Sequence, residues 1–196
     1  MSNADKPDGE RLSEDPRVTR TRELIDQAFY ELLMEKSLHT LTIGEITDRA
    51  RINRATFYAH YGDKYDLYRH LVHSTFAQIL KTNLDNVGGS KEARLRALVC
   101  AACTFFEELN STCPPADRQT RPLVEVEVQQ QLYRSVLDLI REDAGPHATP
   151  STTAEMIAKM ASWAIWGACL DWEASHQSRD ALAAQIYMVV VNMVSS

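Results

Sequence analysis

From position 16 onward, apolar residues recur at intervals of three and four, the period of an α-helix with one buried side. Ile25, Ala28, Phe29, Leu32 and Leu33 mark the first such side, which runs to about Lys36. Asp15-Pro16 opens it as an N-cap followed by proline at the first helical position. Thr42-Ile-Gly-Glu45 has the form of a capping box and predicts a short helix over 42–50 that buries Ile43, Ile46, Thr47 and Ala50. Asn53 reads as a second N-cap, and the helix it starts ends by Gly62. Asp63 opens a longer segment in which Leu67, Leu71, Thr75 and Ile79 recur every four residues.

Asn86 to Ser90 is a loop, and helical stretches follow at roughly 91–110, 118–143, 152–176 and 179–194. The β-branched run Ile186 to Val194 invites a strand reading, but its length with the preceding ALAAQ and the lack of any partner strand favour a buried helix. The pattern predicts an all-α protein of about nine helices without internal repeats. The polar, acidic residues 1–15 read as a disordered leader, 16–64 as one domain and 65–196 as another. No apolar run reaches the roughly 20 residues of a membrane span, and the expectation is a cytoplasmic protein without a membrane partner.

The two short helices at 42–50 and 53–60, joined by a tight turn, have the size of a helix-turn-helix, in which the second helix enters the major groove of DNA. Ile46, Ala50, Ile52, Phe57 and Tyr61 form the inward set. Arg54, Ala55, Tyr58 and Ala59 are left facing outward, with Thr56 and His60 on the flanks. Arginine can give two hydrogen bonds to a guanine edge, and hydroxyls reach phosphates.

The formal net charge of −6 speaks against DNA binding only until it is divided by region. Residues 16–64 hold eight Lys and Arg against seven Asp and Glu, while 1–15 hold two against five and 65–196 hold eleven against fifteen. The acid excess therefore lies outside the candidate reading head. Weak non-specific binding with a strong salt dependence is expected.

The segment TIGEITDRARINRATFYAHYGDKYDL resembles the N-terminal signature of the TetR-type transcriptional regulators, over about 50 residues from Thr19 to Leu67. The resemblance implies that Arg54, Ala55 and Tyr58 lie at the major groove. It implies that Thr42, Thr56, Tyr58 and His60 meet phosphates, as does Lys64 at the start of the fourth helix. Two positions depart from the family pattern. Arg51 stands where the turn usually has glycine, at a cost of about 1 kcal/mol if its backbone is left-handed. Gly44 stands where members often present a longer side chain toward DNA.

The resemblance further implies a C-terminal domain that binds a small effector and dimerises through its last two long helices. The residues speak to dimerisation unaided. The run Met160 to Leu170, MASWAIWGACL, is apolar nearly all round a helix, as is Ile186 to Val194, and such helices must be covered on every side. Four helices from two chains would cover them, against the alternative that they form the core of the monomer. A two-fold dimer predicts an inverted-repeat operator in double-stranded DNA.

Candidate pocket linings are Phe76, Ile79, Leu80, Phe105, Phe106, Tyr133, Trp163 and Trp166, with Trp172 beside them. Aromatics at helical spacing serve a core more often than a ligand box. If they line a site, the effector is apolar or aromatic, and the protein is expected to be a repressor released from its operator by that effector.

Other classes have weaker support. No nucleophile–base pair, paired carboxylates, phosphate loop or metal-ligand spacing is present, so neither an enzyme nor a cofactor is expected. His73, His147 and His176 are scattered, which argues against a metal. Cys100 and Cys103 form a CxxC inside a helical segment, where core packing is the first reading and a thiol-switched regulator the alternative. A ligand-independent DNA-binding protein stays open beside these.

Overall fold

The computed structural model describes residues 15–112, 120–142, 152–170, 172 and 177–194. Among them are eight helices and no strands: α1 (Pro16–Glu35), α2 (Ile43–Ala50), α3 (Arg54–His60), α4 (Lys64–Asp85), α5 (Lys91–Thr112), α6 (Arg121–Arg141), α7 (Thr152–Leu170) and α8 (Arg179–Val194). Residues 1–14 of the expected leader lie outside the described residues, as do 118–119, 143, 171 and 173–176 of the expected helices.

The helix starts obey the capping chemistry written in the sequence. The Asp15 carboxylate accepts from the Arg17 amide at 2.9 Å, and Pro16 occupies the first helical position, where its missing N–H costs nothing. The Ser90 hydroxyl takes the Ala93 amide at the start of α5, and Ser178 takes the Ala181 amide at the start of α8. The β-branched tail is helical, as its length required.

Helices α1 to α3 pack around Ile25, Phe29, Ile46 and Phe57, all fully buried. Burying one such side chain contributes roughly 2–3 kcal/mol, so three short helices hold together without help from propensity. Leu38 and Leu41, in the connection between α1 and α2, are buried as deeply and seal the corner. Ile43 and Ile52 are only half-buried.

The fourth helix buries Leu67, Tyr68, Val72 and Phe76, whereas Leu71, Thr75 and Ile79 of the expected stripe are half-buried. A strict spacing of four drifts about 40° per step around a helix of 3.6 residues per turn, so that row leaves the core within two turns. Below α4 the body packs as a bundle of α5, α6, α7 and α8 around Leu98, Leu132, Ile165 and Val190.

Candidate nucleic-acid interface

The turn between α2 and α3 fixes the angle at which α3 leaves the body. Arg51 closes α2 with φ 56° and ψ 43°, the left-handed conformation. Its amide donates to Asp48 O at 3.3 Å, and the Ile52 amide reaches back to Thr47 O at 3.0 Å. This double closure needs a left-handed residue at its pivot, which is why glycine is usual there. The arginine keeps the geometry and carries the conformational cost of about 1 kcal/mol.

Both short helices begin on built caps. Thr42 Oγ1 accepts the Glu45 amide at 3.3 Å and donates to Glu45 Oε2 at 2.8 Å, while the Thr42 amide donates to the same oxygen at 2.9 Å. Hydrogen bonds from Lys36 and then from Thr42 draw the Glu45 carboxyl down to a pKa of about 2. At α3, Asn53 Oδ1 takes both the amide and the hydroxyl of Thr56, at 2.7 and 3.0 Å. From behind, Arg49 pairs with Glu31 at 3.3 Å and with both oxygens of Glu35 at 3.0 Å, bracing α2 on α1.

The outer side of α3 is Arg54, Ala55, Tyr58 and Ala59, all exposed, with Thr56 and His60 half-buried at its edges. The Phe57 ring lies fully buried behind it, edge-on to Tyr58 with centroids 5.6 Å apart. Thr42 is exposed at the start of α2, on the same side of the turn as Arg54. The side chains picked from sequence are thus gathered around one helix and the two caps next to it, except Lys64. Its ammonium donates to His39 O at 2.8 Å and Leu41 O at 2.7 Å. Two of its three protons therefore close the corner between α1 and α2, leaving one for an outside acceptor.

A set of contacts that sequence reasoning missed ties this head to α4. The Tyr61 hydroxyl donates to Asp26 Oδ1, whose second oxygen lies 3.7 Å from His70 Nε2, and the Tyr61 and His70 rings are 5.5 Å apart. Burial first, and the hydrogen bond to Asp26 second, push the Tyr61 phenol well above its usual pKa. Phe29 meets Tyr68 edge-on at 6.4 Å. None of these pairs is close in sequence, and no local pattern announces them.

The candidate pocket residues divide. Phe76, Phe105, Phe106 and Trp166 form a chain of ring contacts through the core, with centroids 5.6, 6.4 and 4.5 Å apart. Ile79 and Leu80 pack half-buried against it. Tyr133 and Trp163 instead line an open groove of about 620 Å³ between α6 and α7, with Val126, Gln129, Met156 and Ser162. Gln129 Nε2 donates to Ser162 Oγ at 3.0 Å. Gln129 Oε1, Gln131 Nε2 and Trp166 Nε1 are buried without a hydrogen-bond partner among the described residues. Trp172 is turned to the chain itself, its indole N–H donating to Gln177 O at 2.8 Å.

The cysteine pairing also differs from the CxxC. Cys103 Sγ lies 3.9 Å from Cys169 Sγ across α5 and α7, both buried, while Cys100 is half-buried. No cluster of three or more His, Cys, Asp or Glu able to hold a metal occurs among the described residues, and no helix there is long and apolar enough to cross a membrane.

Fold and face together define an all-α protein with a helix-turn-helix head on a helical body. Residues 24–71 match the family described as bacterial regulatory proteins, tetR family. An uncharacterized HTH-type transcriptional regulator of Bacillus subtilis, YxbF, is 42% identical over 76 residues, covering 37% of this chain and 20% of that protein. The HTH-type transcriptional activator FasR of Mycolicibacterium smegmatis is 32% identical over 153 residues, covering 71% of this chain and 66% of FasR. The chain therefore aligns with less than two thirds of the length of either relative. A crystal structure of a TetR-family regulator from Streptomyces coelicolor superposes over 96% of this chain and 100% of its own, with a TM-score of 0.57 and 17% identity. Residues 24–71 are thus a TetR-family domain, and the chain as a whole has the fold of TetR-family regulators.

Proposed function

We propose that this protein is a homodimeric transcriptional regulator that reads an inverted-repeat operator with Arg54, Ala55 and Tyr58 and is released from it by a small apolar or aromatic effector. The observation that carries the reading is the exposed, capped face of α3, anchored from behind by Phe57 and Tyr61. Thr42, Thr56, His60 and the remaining proton of Lys64 border that face and suit phosphate oxygens.

Dimerisation is supported by large apolar side chains exposed on the last two helices: Met156, Met160, Trp163 and Leu170 on α7, Met188 and Val189 on α8. The α7 set follows one side of the helix, and contiguous exposed apolar surface of this kind marks an interaction face. A two-fold pair would set the two α3 helices about one DNA turn apart, or a multiple of it. Effector control is supported by the buried unpaired donors Gln131 Nε2 and Trp166 Nε1, since buried polar groups are nearly always satisfied by something. The contacts of Lys64, Tyr68 and His70 make α4 the member that carries a change in the body to the head. FasR is named an activator, so a transcription assay on the operator decides the direction of control.

Operator binding by fluorescence anisotropy tests the head. Arg54→Ala and Tyr58→Phe should each weaken specific binding about tenfold or more, the loss of one good base or phosphate contact. If neither variant does, the assignment of α3 is wrong. Sedimentation of Met160→Glu tests the interface and should show single chains where the wild type shows pairs.

The contact of Cys103 with Cys169 favours a second reading, a thiol switch. Hydrogen peroxide would take two protons and two electrons from the two thiols and become two waters as the disulfide forms between α5 and α7. Peptide mass spectrometry after mild peroxide should find that cross-link together with altered operator affinity. Unmodified thiols and unchanged binding dispose of it.

A further inference from the structure

We infer that Gly44 is a specificity-determining position of the DNA-reading face, acting by leaving room for the Arg54 guanidinium over the first turn of α2. The inference rests on the reading of α3 as the helix that meets DNA. Arg54 is the first residue of α3 and Gly44 the second of α2, so the pair bridges the turn where the two helix starts meet. A Cβ on Gly44 would lie 3.0 Å from Arg54 Nη2 and 4.0 Å from its Cζ. That is shorter than a comfortable carbon–nitrogen contact, so any side chain at 44 moves the guanidinium.

The place where the guanidinium rests is electrostatically unusual. Helix N-termini carry partial positive charge, and Arg54 stands at one while leaning over another. Among the described residues no carboxylate pairs with it, and Glu45, the residue after Gly44, is committed to Lys36 and the Thr42 cap. The cation thus rests without an ion-pair partner, next to two helix starts that disfavour positive charge. An acceptor-rich surface such as the O6 and N7 edge of guanine relieves that situation, and the bidentate geometry of arginine matches that edge. With glycine at 44 the bracing helix contributes no side chain of its own to the groove. It contributes the space that sets the lateral position of its neighbour's arginine, and so which base pair is read.

Selection of bound duplexes from a random-sequence library, followed by affinity measurements on the selected operator, tests this. Wild type, Gly44→Ala, Arg54→Ala and the double variant are compared. Gly44→Ala should fold with an unchanged or higher melting temperature, since alanine suits a helix better than glycine. It should keep its non-specific DNA affinity, bind the wild-type operator about fivefold or more weakly, and lose preference at the base pair that Arg54→Ala also releases. Added to Arg54→Ala, it should change affinity by less than about twofold. Full operator affinity for Gly44→Ala, or an equal loss in both backgrounds, overturns the inference while leaving α3 as the reading helix. If the wild type selects no sequence at all, the reading of α3 fails and this inference with it.

Discussion

The Tyr61 hydroxyl donates a 2.7 Å hydrogen bond to Asp26 Oδ1, joining the residue that closes α3 to the middle of α1. Thirty-five positions apart in sequence, the two residues fix the far end of α3 as firmly as the Asn53 cap fixes its start. Removing the hydroxyl in Tyr61→Phe should cost about 1–2 kcal/mol, because the bond is to a charged acceptor and part-buried. Urea denaturation measures that cost, and an unchanged midpoint would show the bond to be idle. Specific DNA affinity should fall with it, since the helix loses one of its two anchors.

Arg51 offers the opposite case. Its left-handed backbone makes Arg51→Gly a stabilising substitution, by about 1 kcal/mol less the greater freedom of glycine in the unfolded chain. A rise of about 2–4 °C in melting temperature per kcal/mol is the scale to look for in a chain of this size. A fall would mean that the arginine side chain contributes more than its backbone costs.

Glu45 sets a pH dependence whose sign can be worked out. Its carboxyl is lowered from 4.5 to about 2, so it binds its proton less readily folded than unfolded. Its stabilising contribution is therefore complete above the unfolded value and is lost as pH falls from there through the folded value. Glu45→Gln should be less stable than wild type at pH 7, and the gap should close progressively between about pH 4.5 and pH 2. Thermal melts of both proteins across that range check it. A gap that stays constant would mean that Glu45 acts through its shape and not its charge.

Lys64 has two duties that can be separated. Lys64→Met leaves the carbonyls of His39 and Leu41 without their ammonium and should cost about 1–3 kcal/mol of stability. If its third proton meets a phosphate, the slope of log affinity against log salt should also become shallower by about one. Measured stability without any change of slope would make Lys64 a structural residue only.

How much of this could be read from sequence followed from how local each feature is. Caps act over three residues, so Asp15, Thr42, Asn53, Asp63 and Ser178 place helix starts correctly from the chain alone. The outward set on α3 was equally legible, because a seven-residue helix has one side to bury and Phe57 identifies it. The buried side of α4 was less legible: of the residues recurring every four places only Leu67 is fully buried, and Tyr68, Val72 and Phe76 complete that side outside the repeat. The groove between α6 and α7 was out of reach. Its shape depends on how two helices about 30 residues apart lean on each other, and nothing in the neighbourhood of Gln129 or Met156 encodes that angle. The same holds for Cys103, whose partner proved to be distant Cys169 and not its neighbour Cys100.

The open apolar side of α7 and α8 also bears on how many copies a cell must keep. While single chains predominate, the number of pairs grows with the square of the amount of protein, so halving the chain count quarters the supply able to grip both halves of an operator. If those methionines, the tryptophan and the valine meet a second copy as proposed, gene dosage becomes a steep input: at constant cell volume, losing half the chains would leave about a quarter of the pairs to hold the target genes.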